Sequence, residues 1–347
     1  MNKQAGTLAI PFDVAVPQVR NAAHALGLTV LEPESGLQVV LEYGVFTISG
    51  STSGCELLLR ADNEARLHDL RDTLNLYFEN SGLREHLSWA ADRTGTRPAN
   101  LTIAHIENVR RISPSFFRVR LDGDFRRFEK DGLHFRLLFG PEGADWPMAD
   151  ATGSTIWPGG IDAWHRPPYT VRAIDPECRW IDMDIFIHEG GRVTDWVKQV
   201  TPGEEIAMTG PGGAKPRRAG WVGYIGDETA LPVIARALET LPDAARGQAR
   251  IFIPQEADRQ EIPVPPGVTL EWITRNGQSD PLSALRDLAP PDEDRFVFFA
   301  GEREDAKAAR AHLEGLGFAR TEFTTAAYWT DGWVPPADQA RPQFRRS

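Results

Sequence analysis

The chain has 347 residues, room for two or three domains of ordinary size. A hydrophobic fraction of 41% and a charged fraction of 25% exclude fibrous and wholly disordered classes. A net charge of −11 repels phosphate backbones, so no nucleic-acid partner is expected, and two cysteines are too few for a disulfide framework, a zinc ribbon or an all-cysteine iron–sulfur site. No apolar run approaches the ~18 residues of a membrane span, and the N-terminus lacks a signal peptide's long apolar stretch. A cytoplasmic protein with no membrane insertion, and with Cys55 and Cys178 reduced, is the expectation.

Residues 7–90 read as a small α+β unit. Val19, Ala22, Ala23 and Leu26 recur at helical spacing, and Gly27 stops the helix. Short alternating runs follow at Leu28–Leu31, Leu37–Leu41, Val45–Ile48 and Glu56–Leu59, separated by turn residues, as in a small antiparallel sheet. Asp62 is the expected N-cap of a helix running to about Ser81, with Ala65, Leu67, Leu70, Leu74 and Phe78 on its apolar face.

Residues 101–214 read as closely spaced strands with one helix, the pattern of a barrel. Strands are expected at Leu101–Arg111, Phe116–Leu121, His134–Phe139, Tyr169–Ile174, Trp180–His188 and Glu205–Thr209. Gly140–His165 is rich in Gly, Pro and Trp and reads as a functional or partly mobile loop. Residues 221–330 alternate strands (Trp221–Ile225, Ala249–Ile253, Leu270–Thr274, Phe296–Ala300) with helices (Ala230–Thr240, Pro281–Leu288, Ala306–Gly315), which implies a parallel sheet covered by helices. The expected organisation is a small α+β domain over 1–92, a linker over 93–100, an antiparallel barrel over 101–216, an α/β domain over 217–333 and a tail over 334–347.

Four motifs carry chemistry. In His165-Arg166-Pro167-Pro168-Tyr169-Thr170-Val171-Arg172, an Arg can pair with a pyrophosphate, a Tyr ring can lie against a flavin and a Thr hydroxyl can reach its polar edge; a surface strand with charged ends fits the same residues. His188-Glu189-Gly190-Gly191-Arg192-Val193-Thr194 ends a strand in a Gly-rich turn and opens a helix, whose free N–H groups suit phosphate; an ordinary helix capped by Thr194 or Asp195 fits equally. Thr209-Gly210-Pro211-Gly212-Gly213 lets two domains and a ligand approach closely, or is a plain turn between domains. Gly226-Asp227-Glu228-Thr229-Ala230-Leu231-Pro232 follows the first strand of the α/β domain, where open α/β folds bind ligands, but it lacks G-x-G-x-x-G. Thr229 could cap the next helix or touch a nicotinamide, and Glu302 could face the same crevice or only start a helix.

Taken in order, these motifs closely resemble the siderophore-interacting protein family of flavin-dependent ferric-siderophore reductases, over about residues 101–333. Asp131-Gly132-Leu133-His134-Phe135-Arg136-Leu137-Leu138-Phe139 is similar to the family's D-x-H-x-K-L-x-F strand, and Ala326-Ala327-Tyr328-Trp329 with Gly332 to its terminal G-Y-W-R-x-G. Residues 7–90 look like a small domain of unknown function sometimes fused to it.

The resemblance implies an FAD-binding β-barrel followed by an NAD(P)H-binding α/β domain, ferredoxin-reductase-like in build. It assigns Arg166, Tyr169, Thr170, Val171, Arg172, His188, Gly191, Val193, Thr194, Gly210 and Gly212 to FAD. Asp227, Glu228, Thr229 and Ala230 fall to the nicotinamide crevice, with Glu302, Tyr328 and Trp329 as catalytic candidates. The chain departs from the pattern at Pro167, where the family has Arg, and at Thr330, which replaces the Arg after Y-W.

Arg136, Lys215, Arg217 and Arg218 are candidate contacts for an anionic ferric siderophore. No protein metal ligands are expected, because the siderophore holds the iron. NADPH or NADH is the expected hydride donor, with ferredoxin as an alternative electron donor. Arg275 and Arg259 are candidate cations for a 2′-phosphate. A flavoprotein reductase with another acceptor, and a non-enzymatic siderophore- or iron-binding protein, are the competing readings.

Overall fold

The structure is a computed structural model. It describes all residues except 42, 52–53, 91–93, 130–131, 214–215, 276–279 and 333–347. Asp131, Lys215, the start of the expected linker and the expected tail therefore lie outside the described residues. The chain forms two compact units, Met1–Leu101 with Phe139–Trp164, and Thr102–Leu138 with the chain from His165 onward.

In the first unit the chain runs β1 (Asn2–Leu8), α1 (Phe12–Ala25), β2 (Thr29–Leu31), β3 (Gly36–Leu41), β4 (Gly44–Ser51), β5 (Gly54–Ala61), α2 (Glu64–Asn80) and β6 (Leu87–Trp89). The six strands form one antiparallel sheet in the order β2-β3-β4-β5-β1-β6. Alternate residues such as Leu37, Val39, Phe46, Ile48, Leu57 and Leu59 are buried with Val16 and Val19 of α1 and Leu67, Leu70, Leu74 and Phe78 of α2. β1 is a strand the hydropathy pattern does not announce. The cap of α2 is Asn63, not Asp62: Asn63 has extended backbone and its side chain accepts from Arg66 N at 2.9 Å.

The Gly/Pro/Trp-rich segment belongs to this unit. It carries a short hairpin, β10 (Met148–Ala149) with β11 (Thr155–Ile156), and clusters Trp146, Trp157 and Trp164. One face of α2 holds it. Arg71, buried, donates to Gln4 Oε1 at 2.8 Å, to His68 Nδ1 at 2.6 Å and to the Gly153 carbonyl. His68 Nε2 then meets the Thr155 hydroxyl at 2.8 Å, and that hydroxyl donates to Asp72 at 2.6 Å. A guanidinium so deeply buried is tolerated because both of its terminal nitrogens find acceptors.

The second unit opens with β7 (Leu101–Ser113), β8 (Phe116–Asp122) and β9 (His134–Leu138), and continues with β12 (Pro168–Thr170), β13 (Ala173–Ile174), β14 (Trp180–Phe186), α3 (Arg192–Val197) and β15 (Glu205–Gly212). The sheet order is β12-β9-β15-β7-β8-β14-β13. Its two outer strands are successive pieces of one bent segment, so residues 168–174 pair with β9 at one end and β14 at the other and close the sheet into a barrel. The single strand expected over Tyr169–Ile174 is broken at this bend.

The α/β part runs β16 (Trp221–Gly226), α4 (Leu231–Glu239), β17 (Arg246–Ile253), β18 (Gly267–Thr274), α5 (Pro281–Arg286), β19 (Arg295–Glu302), α6 (Arg303–Gly315) and β20 (Phe323–Trp329). All five strands are parallel, in the order β18-β17-β16-β19-β20. Leu231, Ile234 and Leu238 of α4 pack on one face, and Leu285 of α5 and Ala309 and Leu313 of α6 on the other. Strand order reverses between β16 and β19. The crevice that open α/β folds use for ligands therefore lies at the carboxyl ends of these two strands.

Barrel and α/β part share a core, since Phe116 and Leu133 pack in the cluster built on α4 and β16. Asp258, fully buried, accepts from Ser115 N at 2.9 Å and from the hydroxyls of Ser113 and Ser115 at 2.7 Å each.

Candidate active site

The crevice begins at Asp227, one residue past the end of β16. Its carboxylate is buried, accepts from Thr229 N at 2.9 Å and from the Thr229 hydroxyl, and accepts from Trp329 Nε1 at 2.6 Å. Thr229 is thus spent on Asp227 and does not cap α4, whose N-cap is the buried Ala230 with no side-chain bond. Arg275 follows the end of β18 and reaches Glu228 Oε2 at 2.8 Å and Asp227 Oδ2 at 3.6 Å. Burial and the Asp227 charge push the Glu228 carboxyl up to about 7, although Arg275 pulls the other way.

A cavity of about 550 Å³ opens here, lined by Asp227, Arg275, Glu302 and Trp329 among others. Glu302 lines it as a cap. Its carboxylate accepts from the backbone of Glu304, from Asp305 N at 3.3 Å and from Asp331 N at 3.1 Å. Burial raises its pKa, but these N–H groups outweigh burial and lower it, which suits an anchored carboxylate.

The last strand joins this crevice to the barrel. Tyr328 packs edge-on against His134, with its hydroxyl 3.4 Å from Nε2. His134 Nδ1 lies 3.3 Å from the Thr170 hydroxyl on the neighbouring strand. Burial holds His134 below the usual imidazole range, so it is neutral at pH 7, and burial also pushes the Tyr328 phenol up. His134 is the site residue that sequence reasoning missed. It stands in a quoted motif, but nothing in the sequence tells that β9 lies beside β12 and under β20.

The glycines of 209–213 serve this imidazole. Residues 210–212 continue β15 through an irregularity between Thr209 and Gly212, so the expected turn between domains is a strand, and Gly212 sits opposite His134. Gly213 has φ +70°, and a Cβ there would fall 2.3 Å from the His134 ring.

On the barrel, Tyr169 is half-buried and Thr170 buried. Val171 is buried, its N–H donates to the Leu133 carbonyl and its carbonyl accepts from Arg236 at 2.6 Å. Arg172 departs from its expected place on the flavin. Its buried guanidinium makes two bonds to Glu239, at 2.7 and 2.9 Å, and ties the barrel to the end of α4 instead of offering a fork to phosphate. Arg166 remains the cation at the start of this strand, and its carbonyl accepts from the exposed Arg136 at 3.0 Å.

α3 starts at Gly191 with no capping side chain. Neither Thr194 nor Asp195 caps it. Thr194 is buried and its hydroxyl accepts from His188 N at 3.3 Å, while Asp195 N bonds the Gly191 carbonyl. Gly191 packs under His188, whose ring lies 2.5 Å from where a Cβ would be, and Val193 is buried. His165, next to Arg166, is held down to about 4 by burial and by the charge of Arg192 on α3.

Arg217 does not join the site. It donates to the Thr321 carbonyl, before β20 begins, at the amino end of the sheet. The β15–β16 connection enters the sheet there, opposite the carboxyl-end crevice. Arg259 pairs with Glu256 at 2.9 Å. Among the described residues, no cluster of three or more His, Cys, Asp or Glu is arranged to hold a metal, and no helix is long and apolar enough to cross a membrane.

Comparison with known proteins places this geometry. Residues 105–215 match the siderophore-interacting FAD-binding domain, and residues 219–332 match the siderophore-interacting protein family. Ferric vibriobactin reductase of Vibrio cholerae is 29% identical over 239 residues, which span 64% of this chain and 86% of that protein. The NADPH-dependent ferric-chelate reductase of Escherichia coli is 28% identical over 249 residues, 68% of this chain and 94% of that one. A siderophore utilization protein from T. fusca has a crystal structure similar to this one, with a TM-score of 0.60 at 28% identity, covering 70% of this chain and 98% of that one.

Fold and site together define an FAD-dependent oxidoreductase. The chain belongs to the siderophore-interacting protein family.

The residues present fit a flavin dinucleotide. An aromatic and a hydroxyl stand side by side on β12, a cation precedes them, and α3 presents an uncapped N-terminus with Gly191 in extended backbone.

Proposed function

We propose that this chain is a nicotinamide-dependent flavin reductase of ferric siderophores, releasing iron as Fe(II). The observation that carries the reading is the Thr170–His134–Tyr328 bridge, which joins the barrel strand to the crevice at the strand-order reversal. FAD, when bound, supplies the conversion of a two-electron hydride into single electrons for Fe(III). The siderophore-directed part of the reading rests on the named relatives, which act on ferric vibriobactin and ferric chelates.

Tyr169, Thr170 and Arg166 would hold the flavin, with the N–H groups at the start of α3 on its pyrophosphate. Asp227 fixes the Trp329 indole at the mouth of the crevice, where NADPH or NADH would enter. His134, neutral, holds Thr170 and Tyr328 in place. Arg136, exposed beside Arg166, supplies a cation for an anionic siderophore.

The test is steady-state turnover of the FAD-loaded full chain with NADH or NADPH, a panel of ferric siderophores and an Fe(II) chelator. Two Fe(II) per dinucleotide consumed is the expected stoichiometry. Oxidation of the dinucleotide only with other acceptors, and with no ferric siderophore, overturns the reading.

A further inference from the structure

The crevice has an electrostatic character that its general reading does not require. Six carboxylates line the cavity, those of Asp227, Asp280, Glu302, Glu304, Asp305 and Asp331, against one cation among the described residues, Arg275. Arg275 stands where a 2′-phosphate would need a positive charge, just past the carboxyl end of the third strand. That charge is already committed. Glu228 Oε2 lies 2.8 Å from its Nη2, and Asp227 Oδ2 lies 3.6 Å away. Glu228 is 6% exposed and Asp227 1% exposed, so both carboxylates hold Arg275 from inside the protein, where water screens them little.

We propose that Glu228, by committing Arg275, makes this crevice select NADH over NADPH. The inference rests on the reading that the crevice takes a nicotinamide dinucleotide. A 2′-phosphate brings nearly two negative charges into a carboxylate-lined cavity whose cation is paired. Binding it means pulling Arg275 off a buried Glu228 and leaving that carboxylate uncompensated. A ribose 2′-hydroxyl makes no such demand, and it donates readily to a carboxylate. Glu228 is thus a specificity residue that acts through Arg275.

The test is calorimetric titration at about pH 8, above the raised Glu228 value so that its carboxyl is ionised, of the FAD-loaded full chain with NAD⁺ and with NADP⁺, which bind without reducing the flavin. The unmodified protein is expected to bind NAD⁺ at least tenfold more tightly. Glu228→Gln keeps the shape and removes the charge, so it should shift the ratio of NADP⁺ to NAD⁺ affinity about tenfold toward NADP⁺. Adding Arg275→Ala to Glu228→Gln should cancel that gain. Equal or tighter binding of NADP⁺ by the unmodified protein overturns the inference while the dinucleotide reading stands, and so does an unchanged ratio in Glu228→Gln. If neither dinucleotide binds, and neither NADH nor NADPH bleaches the flavin, the dinucleotide reading falls and the inference with it.

Discussion

Replacing Asp258 by Ala tests how the barrel and the α/β part are held together. The carboxylate is fully buried and takes three hydrogen bonds, from Ser115 N at 2.9 Å and from the Ser113 and Ser115 hydroxyls at 2.7 Å. Hydrogen bonds to a charged group contribute about 1.5–3 kcal/mol each, but the three share one desolvated acceptor and do not add. The two hydroxyls can turn to other partners. The buried Ser115 N–H cannot, and stranding it costs about 1–3 kcal/mol. We expect Asp258→Ala to lose about 3 kcal/mol. Asp258→Asn, which keeps an oxygen for the backbone donor, should lose about 1 kcal/mol. Urea unfolding followed by tryptophan fluorescence reads both variants. A loss below about 0.5 kcal/mol in Asp258→Ala would refute the reasoning, as would equal losses in the two variants.

Three further outcomes follow from particular residues. Arg71→Ala removes the donor shared by Gln4, His68 and the Gly153 carbonyl; limited proteolysis should then cut within 139–164 at least tenfold faster than in the parent. Gly213→Ala puts a methyl into the His134 ring at φ +70°, costs about 1–3 kcal/mol and should weaken FAD binding, read by fluorescence titration. The Glu228 carboxyl, raised from 4.5 to about 7, binds its proton more tightly in the folded chain, so its stabilising effect is complete below pH 4.5 and disappears as pH rises to 7. Glu228→Gln should match the parent near pH 4.5 and exceed its stability by about 3 kcal/mol above pH 7; equal stability at both pH values contradicts the shift.

The α/β part was the most legible in sequence, because near-continuous apolar strands such as Phe296–Ala300 and the glycine-led Gly226-Asp227-Glu228 turn state their own environment. β20 does not announce itself as a strand: Phe323–Trp329 has Thr and Ala where an apolar run would stand, and its pairing with β19 decides the matter. The barrel strands were legible from alternation, but closure was not, since it depends on the bend after Thr170. Within the site, motif residues at chain positions 226–229 and 328–329 do converge. The roles of Arg172 and Arg217 were not readable, because whether an arginine is open to a ligand depends on partners such as Glu239 and Thr321 that lie 67 and 104 residues away. His134 was hidden for the same reason, and so was the Arg71 anchor, whose acceptor at Gly153 is 82 residues distant.

The most direct test of the central claim is an anaerobic visible spectrum of the FAD-loaded full chain, taken before and after one equivalent of NADH or NADPH and again after a ferric siderophore with an Fe(II) chelator. The account predicts that the flavin band bleaches with the dinucleotide and returns as the Fe(II) complex appears. A band that bleaches and stays bleached would contradict the siderophore assignment. A chain that takes up no FAD would contradict the oxidoreductase assignment itself.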